Sequence, residues 1–113
     1  IMAGALAYNL GTAFIPLRKP EKLPYDTFSV SYELEYGSTD MHIHTDALSG
    51  HKKLLIIDDL LATGGTVLAS LDLIRQFEGK EVVGAGFVIN LPSLGGLKKL
   101  ESLNINTRFL IEF

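Results

Sequence analysis

The sequence contains no cysteine, carries no large excess of charge of either sign, and has no long hydrophobic run. Without cysteine the chain has neither a disulfide framework nor a thiolate metal site, a composition that fits the reducing cytoplasm. The formal net charge of -3 at pH 7 provides no general attraction to a polyphosphate backbone, so we expect no nucleic-acid partner. Because the apolar runs are short and no basic segment precedes one, we expect neither a membrane span nor a signal peptide. Any phosphate that the protein binds must therefore be held by local groups.

The composition that remains is that of one small globular unit. With 113 residues, of which 47% are hydrophobic and 20% charged, the chain has apolar material for one modest core, and we expect a single domain over residues 1–113. Its first segment, IMAGALAYNLG (residues 1–11), predicts a helix that ends at Gly11. The helix opens without an initiator Met or an N-cap residue, so we expect a chain that is truncated at its N-terminus.

Short stretches of strand and helix character follow one another and predict an α/β fold. Residues from about 25 to 48 alternate apolar with polar side chains around the small residues 37–39, which predicts a two-stranded flap. Residues 52–58 are apolar on both faces, which predicts a central, covered strand. The other predicted elements are strands at 12–17, 81–90 and 107–113 and helices at 64–77 and 91–103. Connections this short indicate a parallel sheet with right-handed crossovers.

Two aspartates and a glycine turn lie between the predicted central strand and the helix after it. Ligands of an open parallel sheet bind at the carboxyl ends of its strands, and we expect Asp58 and Asp59 at such an end, where the backbone already turns. The segment Ala62-Thr63-Gly64-Gly65-Thr66 then offers free N–H groups, two hydroxyls and the positive end of a helix dipole, which can hold a phosphate. A ribose 5-phosphate fits the acids and the turn together. The alternative is an acidic strand end followed by a helix that threonine caps.

Three stretches, in this order along the chain, resemble one known family. They are PLRKPEKLP (residues 16–24), SYELEYG (31–37) and LLIIDDLLATGGT (54–66). They are similar to the type I phosphoribosyltransferases, in particular to the branch that acts on adenine. The resemblance implies a parallel-sheet, Rossmann-like core with a flap hairpin, truncated because the family's N-terminal hood and pyrophosphate-binding turn are missing. It also implies transfer of ribose 5-phosphate from phosphoribosyl pyrophosphate to adenine, which gives AMP and pyrophosphate.

The resemblance assigns roles to the residues around the glycine turn. Asp58 and Asp59 would bind the ribose hydroxyls, directly or through water on Mg²⁺, and Asp58 would also count as catalytic. The Mg²⁺ would be carried mainly by the substrate pyrophosphate, because this ion prefers phosphate oxygens and retained water to an all-protein cage. Leu60 would offer an apolar face to adenine. The 5-phosphate would be held by Ala62, Thr63, Gly64, Gly65 and Thr66.

Two further segments receive roles from the resemblance. Arg18, Lys19 and Lys22 would meet the departing pyrophosphate, and the alternative for this segment is a solvated basic loop. Glu35 and Tyr36 lie in the predicted flap, where Glu35 would exchange a proton with the purine and Tyr36 would close over the site. For these two residues the alternative is an ordinary exposed position on an amphipathic strand.

Two functions of different class stay open on the sequence. One is the enzyme, and the other is a non-catalytic module of the same fold that binds phosphoribosyl pyrophosphate or a nucleotide as a regulatory signal. His42 and His44 share a strand face and could hold a metal, but no third ligand has suitable spacing, so we expect no protein metal site. The resemblance further implies a cytoplasmic homodimer, with residues 1–11 and 18–24 as candidates for its twofold interface.

Overall fold

The computed structural model describes residues 1–18, 27–34 and 37–113. Strands and helices alternate along most of the described chain, so the predicted α/β class is confirmed. In chain order the elements are α1 (Met2–Leu10), β1 (Thr27–Leu34), β2 (Gly37–His44), β3 (Lys53–Leu61), α2 (Gly65–Arg75), β4 (Glu81–Asn90), α3 (Gly96–Ser102) and β5 (Thr107–Glu112), with a 3₁₀ turn at Pro92–Leu94 before α3.

The first helix ends where the sequence indicated. Gly11 caps α1 in the left-handed conformation, with φ of 68°, and its N–H points back to the carbonyls of Ala7 and Tyr8. This conformation favours glycine because a Cβ would crowd the backbone. No helix in the described parts of the chain is long and apolar enough to cross a membrane.

Two strands form the predicted hairpin. β1 and β2 pair antiparallel, from Thr27 opposite His44 to Leu34 opposite Gly37, so the predicted pairing of two strands is confirmed. The predicted interruption at residues 37–39 is wrong, because these residues belong to β2. Small polar residues accept an extended backbone when a partner strand supplies the hydrogen bonds, so their composition alone does not end a strand.

The second sheet is parallel and has the order β3-β4-β5, as far as the described residues show. The prediction that residues 52–58 form its central strand is wrong, since β4 is central and β3 lies at an edge, with α1 packed against it. The cover expected on both faces is not found among the described residues either, because residues 54–57 are half-buried or exposed and Leu55 is 50% exposed.

The strand predicted at residues 12–17 is also wrong. These residues form no strand, and only Arg18 makes an isolated antiparallel bridge to His42. Pro16 has no N–H to donate to a ladder, and a strand needs a partner as well as apolar side chains.

Helix α2 joins the two sheets through a continuous apolar core. Its side chains contribute to one cluster with the hairpin and to another with the parallel sheet and α3, so the hairpin is fixed relative to the end of β3. The buried members of the first cluster are Met41, Ile43, Leu48, Ala69, Leu73 and Ile74. Those of the second are Leu61, Val67, Leu71, Ala85, Phe87 and Leu100.

Candidate active site

The segment between β3 and α2 is a turn that exposes backbone amides at the start of the helix. The chain bends at Ala62–Gly64, and Gly64 takes φ of 89° before α2 begins at Gly65. The carbonyl of Gly64 accepts the N–H of Leu68 at 2.9 Å, but the first amides of a helix have no partner within it. Among the described residues no side chain of the N-cap position caps this helix, but the N–H of Gly65 donates a long hydrogen bond to Thr63 Oγ1 at 3.4 Å. The backbone N–H groups of Gly64, Thr66 and Val67 have no partner among the described residues and are therefore available to an anion.

A cavity of about 610 Å³ lies over this turn and the end of β3. It brings together every residue between 58 and 66 that the sequence analysis assigned to substrate binding. Its lining consists of Tyr32, Asp58, Asp59, Leu60, Leu61, Ala62, Thr63, Gly64, Gly65, Thr66, Val67, Phe87 and Lys99. A larger cavity of about 770 Å³ between α1 and β3 is lined mainly by apolar side chains, and although Asp58 and Thr66 also reach it, residues 59–65 do not. The smaller cavity is the candidate active site, because acids and free amides meet there.

The two aspartates lie within β3 and not after it. The expected turn at Asp58 and Asp59 is wrong, since β3 continues to Leu61, which pairs with Asn90 of β4. Successive strand residues point to opposite faces, yet the two carboxyl groups are near enough for the side chain of Asp59 to raise the pKa of Asp58. Both line the same cavity, which extends around the end of the strand.

Asp58 has a raised affinity for protons. Partial burial raises the pKa of Asp58 above the ordinary aspartate value, and the neighbouring carboxyl of Asp59 raises it further. The backbone N–H of Asp59 donates to Asp58 Oδ1 at 2.9 Å and opposes this rise in pKa. Asp58 therefore keeps a proton to a higher pH than an exposed aspartate does.

The described part of the structure places none of the predicted cationic and flap residues in the lining of the cavity. Arg18 bridges to His42 through its backbone, with N···O distances of 3.1 and 2.8 Å, and it does not line the cavity. The other four predicted residues, Lys19, Lys22, Glu35 and Tyr36, lie outside the described residues. Their roles stay predictions.

Sequence reasoning missed two polar residues of the cavity, in addition to the apolar Leu61, Val67 and Phe87. Tyr32 reaches it from β1, and it lies in the SYELEYG stretch, where attention went to Glu35 and Tyr36. Lys99 reaches it from α3, and its Nζ donates to the carbonyl of Thr63 at 2.8 Å. No local signal distinguishes Lys99 from its neighbour Lys98, because the contact joins residues 36 positions apart in the sequence.

The acids of the cavity suit a hydrated cation more than a protein-held metal. Within the described residues no group of three or more His, Asp or Glu side chains could hold a metal ion. Asp58 and Asp59 supply carboxylate oxygens, which Mg²⁺ prefers, next to the amides that can hold a phosphate. The donor set therefore fits Mg²⁺ that arrives with a phosphorylated substrate.

Comparison with known proteins agrees with this geometry. A relative from Rhizobium meliloti, named adenine phosphoribosyltransferase, is 50% identical over 113 residues, which are all of this chain and 62% of the relative. The adenine phosphoribosyltransferase of Thermoanaerobacter pseudethanolicus superposes with a TM-score of 0.87 and 45% identity, over 97% of this chain and 62% of that one. The enzyme of Saccharomyces cerevisiae, solved with adenine and an imino-altritol bisphosphate, has a TM-score of 0.82 and 37% identity, over 94% of this chain and 58% of that one.

These similarities confirm the resemblance inferred from the three sequence stretches and the phosphoribosyltransferase fold. The chain spans about 62% of the length of the curated relatives that it matches. Residues 1–102 match the phosphoribosyl transferase domain, which is most of the 113-residue chain. On this match, the chain belongs to the phosphoribosyl transferase domain family.

Proposed function

We propose that the protein to which this chain belongs transfers ribose 5-phosphate from phosphoribosyl pyrophosphate to adenine, which gives AMP and pyrophosphate. The observation that carries the proposal is the cavity in which Asp58, Asp59 and the turn 62–66 meet. The curated and structural relatives that share this part of the chain are named adenine phosphoribosyltransferases, which supports adenine as the base. Because those relatives are enzymes, a purely regulatory binding module is the less favoured function.

The 5-phosphate binds at the glycine turn. The free amides at the start of α2 and the hydroxyls of Thr63 and Thr66 donate to its oxygens, and the positive end of the helix dipole favours its charge. Gly64 is buried, and its lack of a side chain lets the turn take a left-handed conformation close to α3.

The ribose lies next to the acids. Asp58 and Asp59 accept hydrogen bonds from its hydroxyls, directly or through water, and hold the sugar against the end of β3. These two carboxylates would hold part of the coordination shell of a Mg²⁺ ion that comes with the pyrophosphate, and the ion would supply positive charge to the leaving group. The ionised acids also favour the positive charge that develops on the sugar ring as the bond to pyrophosphate breaks.

The transfer step breaks one bond and forms another at C1 of the ribose. The bond between C1 and the pyrophosphate oxygen breaks with its electron pair on pyrophosphate, and a purine nitrogen bonds to C1. The purine then loses its N–H proton, which Glu35 accepts. Leu60, which is 42% exposed at the cavity, offers an apolar face to the adenine ring. Tyr36 closes over the site and excludes water.

The remaining parts of the proposal concern the leaving group and the assembly. Arg18, Lys19 and Lys22 neutralise the pyrophosphate as it departs. The protein works in the cytoplasm, where a phosphorylated sugar and a free base are substrates, and it forms a homodimer through residues 1–11 and 18–24. Sedimentation of the protein at micromolar concentration tests the dimer, and a monomer alone would contradict it.

Calorimetry with AMP and ribose 5-phosphate tests the site. We expect Asp58→Asn to weaken the binding of both ligands about tenfold, the effect of losing one hydrogen bond to a charged group. The matched control is Asp46→Asn, which changes an exposed aspartate outside the cavity and should leave both affinities unchanged. Equal affinities in the two variants would remove Asp58 from the site.

Conversion of radiolabelled adenine to AMP tests the reaction itself. The assay uses the longest natural form of the protein, with phosphoribosyl pyrophosphate and Mg²⁺. We expect turnover that depends on both additions. Tight binding of AMP without any turnover would contradict the enzyme and support the regulatory module.

A further inference from the structure

We propose that Lys99 and Gly96 of α3 position the phosphate-binding turn by holding the carbonyl groups of Ala62 and Thr63. In this role Lys99 is a positioning residue that acts through the turn and not on the reacting atoms. The proposal rests on the proposed function, since it assumes that the turn at residues 62–66 holds a phosphate.

The carbonyl groups before and within the turn all have partners. The oxygen of Leu61 accepts the N–H of Leu91 at 2.9 Å, and that of Gly64 accepts the N–H of Leu68 at the same distance. Between them, the oxygens of Ala62 and Thr63 are bound by α3, as described next. Four successive carbonyl dipoles are thus directed toward other parts of the chain.

Helix α3 supplies the two middle contacts. The N–H of Gly96 donates to the oxygen of Ala62 at 2.9 Å, and Nζ of Lys99 donates to the oxygen of Thr63 at 2.8 Å. Lys99 also lies at the edge of the cavity, and its Cδ would be 3.7 Å from a Cβ placed on Gly64. The lysine therefore reaches across from α3 and holds the turn near its centre.

The backbone of α3 approaches the turn too closely for any side chain at position 96. A Cβ on Gly96 would lie 2.5 Å from the oxygen of Ala62 and 3.0 Å from the nitrogen of Gly64. A Cβ on Gly64 would in turn lie 3.3 Å from Cα of Gly96. The two glycines let the backbone of the turn rest directly on α3.

This arrangement has a chemical consequence for an anion. A peptide unit that turns its carbonyl toward α3 turns its N–H the other way, because the two groups are nearly antiparallel in a planar trans peptide. Fixing the carbonyls of Ala62 and Thr63 against α3 therefore presents the following amides to the cavity and keeps repulsive carbonyl oxygens from the phosphate. Such preorganisation is what makes an anion site effective.

The test compares Lys99→Met with Lys98→Met, which removes the same charge from the adjacent, exposed position, and with Lys99→Arg. The first measurement is backbone ¹⁵N relaxation at Thr63 and Gly64 without ligand, because these residues carry the amides that follow the two held carbonyls. We expect Lys99→Met to lower the order parameters of these amides toward about 0.6, the range of flexible backbone, with the thermal midpoint unchanged. Lys98→Met should leave them as in the wild type, and Lys99→Arg should restore them because its guanidinium can reach the same carbonyl.

The second measurement is calorimetry with AMP and with ribose 5-phosphate. Lys99→Met should weaken both about three- to tenfold, the effect of losing one ordinary hydrogen bond, and Lys98→Met should not. Unchanged order parameters in Lys99→Met would overturn the proposal, and so would greater motion without loss of affinity. If the wild type binds neither ligand, the proposed function fails, while the relaxation data still decide whether Lys99 holds the turn.

Discussion

Replacing Gly64 by alanine should damage the protein in two separable ways. Gly64 has φ of 89°, and its added Cβ would lie 3.3 Å from Cα of Gly96. A left-handed conformation costs a residue with a Cβ about 1–2 kcal/mol, and an overpacked contact that the backbone must relieve costs about 1–3 kcal/mol more. The matched control is Gly79→Ala, since Gly79 has φ of 70° and nothing within 4 Å of its Cβ position. Only the backbone penalty applies to the control.

Urea unfolding followed by circular dichroism measures the difference between the two variants. We expect the unfolding midpoint of Gly64→Ala to lie roughly 1 M below that of Gly79→Ala, given slopes of a few kcal/mol per M. The displaced turn should also lose at least one amide contact to phosphate and so bind AMP about tenfold more weakly, whereas Gly79→Ala should bind it normally. Equal stability and equal AMP affinity in the two variants would refute both the packing of the turn on α3 and its role in binding.

Two further predictions concern protons. Burial and the neighbouring Asp59 raise the pKa of Asp58. On acidification, the affinity for phosphoribosyl pyrophosphate with Mg²⁺ should therefore fall with a midpoint above the ordinary pKa of aspartate. Asp59→Asn should move this midpoint to lower pH. A carboxyl group with a raised pKa in the folded protein also makes the free energy of unfolding decrease as the pH rises through that pKa, so Asp58→Asn should remove this decrease. An unshifted affinity midpoint in Asp59→Asn together with an unchanged pH profile of urea unfolding in Asp58→Asn would contradict the raised pKa of Asp58. Glu35→Gln should lower kcat for AMP formation by about two orders of magnitude or more with little change in AMP affinity, while the control Glu33→Gln keeps its activity. Equal turnover in both glutamate variants would exclude Glu35 as the proton acceptor.

The local features of this chain followed from the sequence because their causes are local. Periodic apolar residues predicted α2, and the run at residues 81–90 predicted β4 within its observed bounds. Gly11 predicted the end of α1, since a left-handed cap needs no tertiary partner. The acids and the glycine turn were recognised together because they are neighbours along the chain, and the cavity contains them all.

Features that depend on distant partners were decided only by the tertiary structure. The apolar residues 12–17 did not form a strand, and β3 lies at the edge of the sheet that the described residues form and continues past both aspartates, because strand formation requires hydrogen bonds from another segment. Tyr32 and Lys99 entered the cavity through packing of the hairpin and of α3, which no short pattern encodes. The sequence by itself determined which groups could bind a phosphate, because the free amides, the hydroxyls and the left-handed glycine belong to one short segment. The direction in which those groups point was decided by α3, because the contact of Lys99 with Thr63 spans 36 residues and forms only when the sheet and the helix have packed.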